Sequence, residues 1–494
     1  MKKSVVRWLC LAMVASLSAF ATRAEDKPSP LPTGPQSDGP FRKVILESDR
    51  EINGKFEDTL KDPMELAVAA DGRVFYAQRD GTVKVWKPDT KTSFVVNKLE
   101  VFTGLEDGLL GITLDPQFLK NGWIYLNHSL PETGKDKTGA KAGTNRISRF
   151  TVTGDTFDLS SEKVLIDIGT QREQCCHSGG SLAFDSQGNL YVSAGDNTNP
   201  FESDGFSPQD ERPGRSPWDA QKSSANANDL RGKILRVTPQ TDGTIKIPKG
   251  NLFPPNTPGT RPEIYVMGNR NPFRISVDKK NGYLYWGEVG PDAGGFSETR
   301  GPAGHDEVNQ ARKAGNFGWP YFVGDNKPYW HWDFTAKTNT FKYDPAHPVN
   351  NSPFNTGIKD LPPAQAAFIY YANSPSAKFP VVNGGGGRTA MAGPVYYFDS
   401  KLKSDRKLPA GFDHTLFVYE WSRNWIIAVH LDANDNIAKM ERFCPKMTFQ
   451  RPMDMELGPD GCLYIIEWVT AWGNNLDTQI VRLEYAGEAS AAQK

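Results

Sequence analysis

SLAFDSQGNLYVSA, residues Ser181–Ala194, decides the fold of this 494-residue chain. Leu182 and Phe184 alternate with smaller residues, D-S-Q-G-N supplies a turn, and Leu190 and Val192 resume the alternation. Period-two patterning, aromatic and branched residues and a turn between them specify an antiparallel hairpin. The same grammar recurs at Leu66–Gln78 (LAVAADGRVFYAQ), Gly111–Asn127 (GITLDPQFLKNGWIYLN), Arg274–Glu288 (RISVDKKNGYLYWGE) and Met455–Glu467 (MELGPDGCLYIIE). A looser copy spans Val395–Val429. Sustained helical periodicity is almost absent. About six hairpin units in one chain predict an all-β, six-bladed β-propeller. Long Pro- and Gly-rich connections at 195–232 and 292–362 are expected between blades, where such loops usually carry function.

Outside these repeats, Lys2, Lys3 and Arg7 precede an apolar run from Trp8 to Phe20, followed by small residues. This is the pattern of an export signal rather than of a membrane span. The expected organisation is a signal peptide at 1–24, a flexible lead-in at 25–45, the propeller at 46–486 and a tail at 487–494. Export to the periplasm or the cell exterior follows. The 57 basic and 58 acidic residues nearly cancel, with no basic stripe for nucleic acid and no second apolar run for a membrane. Cys10 leaves with the signal. Cys175, Cys176, Cys444 and Cys462 admit three pairings, and one or two structural disulfides are expected, a vicinal Cys175–Cys176 bridge being one alternative.

Hairpin geometry also predicts a site. The residue entering a first strand and the residue leaving its partner lie at the same end. That groups His177 with Asp196, Arg270 and Asn271 with Gly290-Pro291-Asp292, Glu106 and Asp107 at the second hairpin, and Arg451 with Trp468. His177, in CCHSGG, suits a general base with Asp196 orienting it. Arg270 suits an electrophilic stabiliser or anion holder. Gly290 and Pro291 carbonyls and Asp292 suit calcium, which takes oxygen ligands. Arg388 and Arg423 are further cations for a polycarboxylate. There is no Walker loop, Rossmann fingerprint, H-E-x-x-H or G-x-S-x-G, and Cys175-Cys176-His177 lacks the spacing of a haem attachment site.

Seven segments together carry a resemblance: EDGLLGITLDPQF, HSGGSLAFDSQGNLYVSAGDN, NDLRGKILRV, GNRNPFRISVD, GEVGPD, HDEVNQARKAGNFGWP and DMELGPDGCLYI. In this order the chain resembles the glucose/sorbosone dehydrogenase family, soluble quinoproteins, over roughly Leu60 to Glu484. The resemblance implies a six-bladed propeller holding pyrroloquinoline quinone (PQQ) and calcium. It implies His177 as the base that takes the hydroxyl proton of a sugar or related alcohol, Asp196 as its orienting partner, and Arg270 and Asn271 on the quinone. It implies Gly290 and Pro291 carbonyls on the calcium, and Glu106 or Asp107 near the substrate. Electrons would pass to an external acceptor. Two features depart from the pattern. No Lys follows the late PVYYF strand, where Tyr397 stands, so Arg388 or Arg423 is expected to hold the cofactor carboxylates. Paired cysteines precede His177. A calcium-dependent hydrolase or lactonase using Glu106, Asn271 and Asp292, and a propeller that only binds, are the competing readings.

Overall fold

The computed structural model describes residues 36–52, 55–131, 134–135, 141–384, 387–468 and 478–487. The expected signal peptide, and all but one residue of the expected tail, lie outside these. Each predicted hairpin becomes the inner pair of strands of a four-stranded meander. The inner strands are Pro63–Val68, Leu109–Leu114, His177–Phe184, Pro272–Val277, Ala390–Tyr396 and Pro452–Leu457, and among the described residues they head six blades. They pack on one another in chain order, and the last returns to the first, which makes the ring of a six-bladed β-propeller.

Polar side chains join the inner strands at the axis. Glu65 accepts from the backbone N–H of Ile112 at 2.7 Å and from Ser181 Oγ, spanning the first three blades. Arg274 of the fourth blade donates to the carbonyls of Met64 and Met453. Asp454 of the sixth accepts from Leu66 N–H at 2.7 Å. Apolar side chains fill the spaces between blades; Trp286 meets Phe317 edge-on at 4.6 Å between ring centroids.

Closure corrects one expectation. Residues 36–45, read as flexible lead-in, form a strand, a turn and the start of a second strand. Phe41–Ser48 pairs antiparallel with Gln479–Tyr485 and supplies the fourth strand of the sixth blade, and Gln36–Asp38 adds a fifth. The long loop foreseen at 195–232 is present but links strands within the third blade, and the one foreseen at 292–362 is divided by Asp306–Ala311, the third strand of the fourth blade, with a loop on either side of it. Both blades carry their loops above the entrance of His177 and Arg270.

Candidate active site

His177 opens the inner strand of the third blade and Asp196 lies near the end of its neighbour, in a register that opposes His177 to Asn197. A Cβ on Gly195 would lie 2.3 Å from the His177 carbonyl oxygen, so only glycine lets the strands close at this point. His177 Nδ1 is 2.8 Å from Asp196 Oδ1. The same carboxylate accepts the Thr198 N–H at 3.0 Å and the Trp319 indole N–H at 2.9 Å. A carboxylate only accepts, so Nδ1 carries the proton and Nε2 is left as the basic nitrogen. His177 and Asp196 are buried, at 5% and 1% exposure.

Asp196 also ties this blade to the next, its N–H donating to the Arg270 carbonyl at 2.8 Å. The backbone N–H groups of Arg270 and Asn271 both donate to Glu288 Oε1 at 2.6 Å, which fixes the turn that carries them. Burial, with Glu307 close by, pushes the Glu288 carboxyl well above the ordinary range despite those donors. Asn271 Oδ1 accepts from Gly179 N–H at 3.1 Å. The Arg270 guanidinium donates to the Val289 carbonyl at 2.8 Å and faces Asp292 at 3.4 Å.

His177, Asp196, Arg270 and Pro291 border a cavity of about 350 Å³ roofed by the long loops. That volume lies within the roughly 300–1,000 Å³ of small-molecule sites. Its walls include Trp319, Tyr329, Trp330 and Trp332. Arg300 enters the wall as well, its guanidinium 4.1 Å from the Phe206 ring centroid and 4.9 Å from that of Trp332. Flat rings beside two guanidinium groups match the chemistry of a planar aromatic polycarboxylate such as PQQ. The sequence reading missed Arg300 and Trp319. Trp319 stands in the quoted FGWP segment, but 123 positions separate it from Asp196, and no local periodicity links the two.

Other expected site residues are placed differently. Arg423 donates all three guanidinium nitrogens to backbone carbonyls, of Gly387, Val382 and Ala372, and lies over the Tyr371 ring. It ties loops together and does not border the cavity. Asp107 is buried and taken up by Ser178 Oγ at 2.9 Å, Asn145 at 3.3 Å and Arg172 at 3.4 Å. Glu106 holds the Ser178 N–H at 3.1 Å. These two carboxylates buttress the residue after His177 from the second blade, and neither borders the cavity. Tyr397 donates to Asp278 at 2.8 Å, at the end of the fourth blade's inner strand remote from Arg270.

Arg388 Nη2 donates to the Pro291 carbonyl at 2.8 Å. This does not fit the calcium expected on Gly290 and Pro291. The oxygen that would bind the ion is engaged by a fixed cation, and a dication on it would stand roughly 5 Å from the guanidinium. Among the described residues, no group of three or more His, Cys, Asp or Glu side chains is arranged to hold a metal. Cys175 and Cys176 form the vicinal disulfide, whereas Cys444 and Cys462 are free and buried, which leaves neither long-range pairing in place.

Residues 60–385 match the family described as Glucose / Sorbosone dehydrogenase. The chain is 25% identical over 480 residues to quinoprotein glucose dehydrogenase B of Acinetobacter calcoaceticus, covering 92% of each. Its fold is similar to that of the soluble aldose sugar dehydrogenase of Escherichia coli in its apo form, with a TM-score of 0.58 and 19% identity over 90% of this chain and 99% of that one. It is also similar to the PQQ-bound aldose sugar dehydrogenase of Streptomyces coelicolor, with a TM-score of 0.52 and 17% identity over 91% and 99%. The match over most of the propeller, together with the His177–Asp196 pair at the mouth of its third blade, means that this chain belongs to the glucose/sorbosone dehydrogenase family.

Proposed function

We propose that this protein oxidises the hydroxyl-bearing carbon of an aldose or related alcohol, with PQQ as its cofactor and His177 as general base. The observation that carries this reading is the buried relay Trp319–Asp196–His177 ending on the cavity wall. The quinoprotein relative, alike along 92% of both chains, supports the cofactor. When bound, PQQ supplies an acceptor for the hydride of the substrate carbon.

The chain's own residues do the rest. Asp196, held by Thr198 and Trp319, keeps the His177 ring in one orientation, with Nε2 free to take the hydroxyl proton. It also stabilises the imidazolium that results. Arg270, buried and anchored to Val289, presents positive charge to the cavity and would hold an electron-rich oxygen of the quinone there. The aromatic walls and Arg300 orient a flat anionic ligand and exclude water. The hydrolase reading would draw on Glu106, Asn271 and Asp292, but these are engaged by Ser178, Gly179 and Arg270. Export, read from residues 1–24, and transfer of electrons to an external acceptor belong to the same proposal. Among the described residues no helix is long and apolar enough to cross a membrane.

The test is dye-linked oxidation of a panel of aldoses by protein reconstituted with PQQ, beside His177→Ala. Turnover that needs PQQ and falls about 10²–10⁴-fold in the variant, with quinone binding retained, is the expected result. Full turnover in His177→Ala would remove the base assignment, and turnover without quinone would remove the cofactor.

A further inference from the structure

Arg388 does not border the cavity but lies behind its wall, joined to the wall residue Pro291. Its side chain is only 4% exposed. Nε donates to Asn373 Oδ1 at 2.8 Å and Nη2 to the Pro291 carbonyl at 2.8 Å, while Nη1 lies 3.5 Å from Asp306 Oδ1. Nη1 is buried and makes no hydrogen bond of its own. Asp306 is itself held by two backbone donors, Gly290 N–H at 3.2 Å and Ala390 N–H at 2.9 Å. The carboxylate that balances Arg388 therefore heads the strand Asp306–Ala311 and also holds the turn of Gly290 and Pro291 through the Gly290 N–H.

Gly304 shows that the arrangement is built into the backbone. A Cβ there would lie 1.7 Å from the Pro291 oxygen and 3.1 Å from Arg388 Nη2. Any side chain at 304 would push the carbonyl and the guanidinium apart. The Pro291 carbonyl is thus turned toward Gly304 and Arg388. A calcium ion needs six to eight oxygen ligands. Here one expected ligand already accepts from a cation, and Asp306 is paired with that cation and with two backbone N–H groups.

We propose that Arg388 is the fixed cation of the cofactor site, standing in for calcium, so that the quinone binds this protein without a divalent ion. The proposal rests on the quinone reading above. It makes Arg388 a positioning residue: its buried guanidinium, shared between Asp306 and Pro291, fixes the Pro291 carbonyl from behind the cavity wall, the place a bound metal would otherwise hold.

The test is PQQ binding to the chelator-treated full chain, followed by quenching of tryptophan fluorescence, since Trp319, Trp330 and Trp332 line the cavity. It is run once in EGTA and once in calcium. The expected dissociation constants agree within about twofold, far less than the tenfold that 1.4 kcal/mol represents. Binding seen only with calcium overturns the proposal and leaves the quinone reading standing. Binding in neither condition removes the quinone reading and the proposal with it. Arg388→Ala is expected to lose about 10–100-fold in EGTA, the worth of one charge-assisted hydrogen bond, and to recover when calcium is added. Arg388→Lys is expected to stay calcium-independent and decides the matter if the alanine variant does not fold. An Arg388→Ala protein that folds and binds PQQ normally in EGTA overturns the proposal.

Discussion

Asp196 receives three donors, and only one of them is the histidine it serves. Trp319 gives Asp196 a fixed N–H and gives the cavity a ring, and a substitution that keeps the ring separates the two. Trp319→Phe keeps a ring in the cavity wall and removes that donor. Its expected effect is a fall of about 10–100-fold in kcat at nearly unchanged KM, corresponding to roughly 1.5–3 kcal/mol for one hydrogen bond to a charged group. Steady-state kinetics with a confirming thermal melt measure it; an equal loss in KM with kcat intact would point to a wall residue instead. The His177–Asp196 pair was legible in the sequence because a hairpin's register fixes which residues share an end. Arg423 was not, because a long side chain can satisfy backbone carbonyls in loops that a hairpin pattern does not describe. Pro291 was legible as a site residue, but the direction of its carbonyl depends on Gly304 and Arg388, far along the chain.

The six inner hairpins follow directly from period-two patterning, since a strand half-buried between neighbouring blades must alternate. The closing strand Phe41–Ser48 was misread because FRKVILES carries charge inward: Lys43 is buried against Glu467. Its ammonium lies 3.0 Å from both carboxylate oxygens and donates to the Thr448 carbonyl as well. The pair links the strand from the chain's beginning to the second strand of the sixth blade, and Gln450 N–H and Gln479 complete the hydrogen bonding of Glu467. Lys43→Met would leave that carboxylate buried without its cation. The expected cost is about 3–5 kcal/mol of unfolding free energy, read by denaturant titration. Loss of less than about 1 kcal/mol would mean that the pair is no better than an exposed one.

Across the whole molecule, burial raises Asp219, Glu307 and Glu420 to about 7 each. The folded chain therefore keeps protons that these groups release in the unfolded chain near pH 4 to 5. Their stabilisation is complete in acid and is lost as pH rises through about 7. Buried Lys222 and Lys233, lowered to about 7 by burial, act in the opposite sense only above that. The melting temperature is expected to fall between pH 5 and pH 7, below the range in which the two lysines act; a rise across that interval would contradict the burial of these carboxyls. The seam in the sixth blade has a further consequence, for the order in which the molecule comes into being. Arg42 meets Glu484, 442 positions later, so one of the first strands to be synthesised finds its partner almost last. Five blades can form from local pairings as the chain emerges, whereas closure is a single late event with a large loop-closure cost. An unclosed molecule would leave the strands Phe41–Ser48 and Gln479–Tyr485 without each other, and a second copy would offer the same edges to pair with.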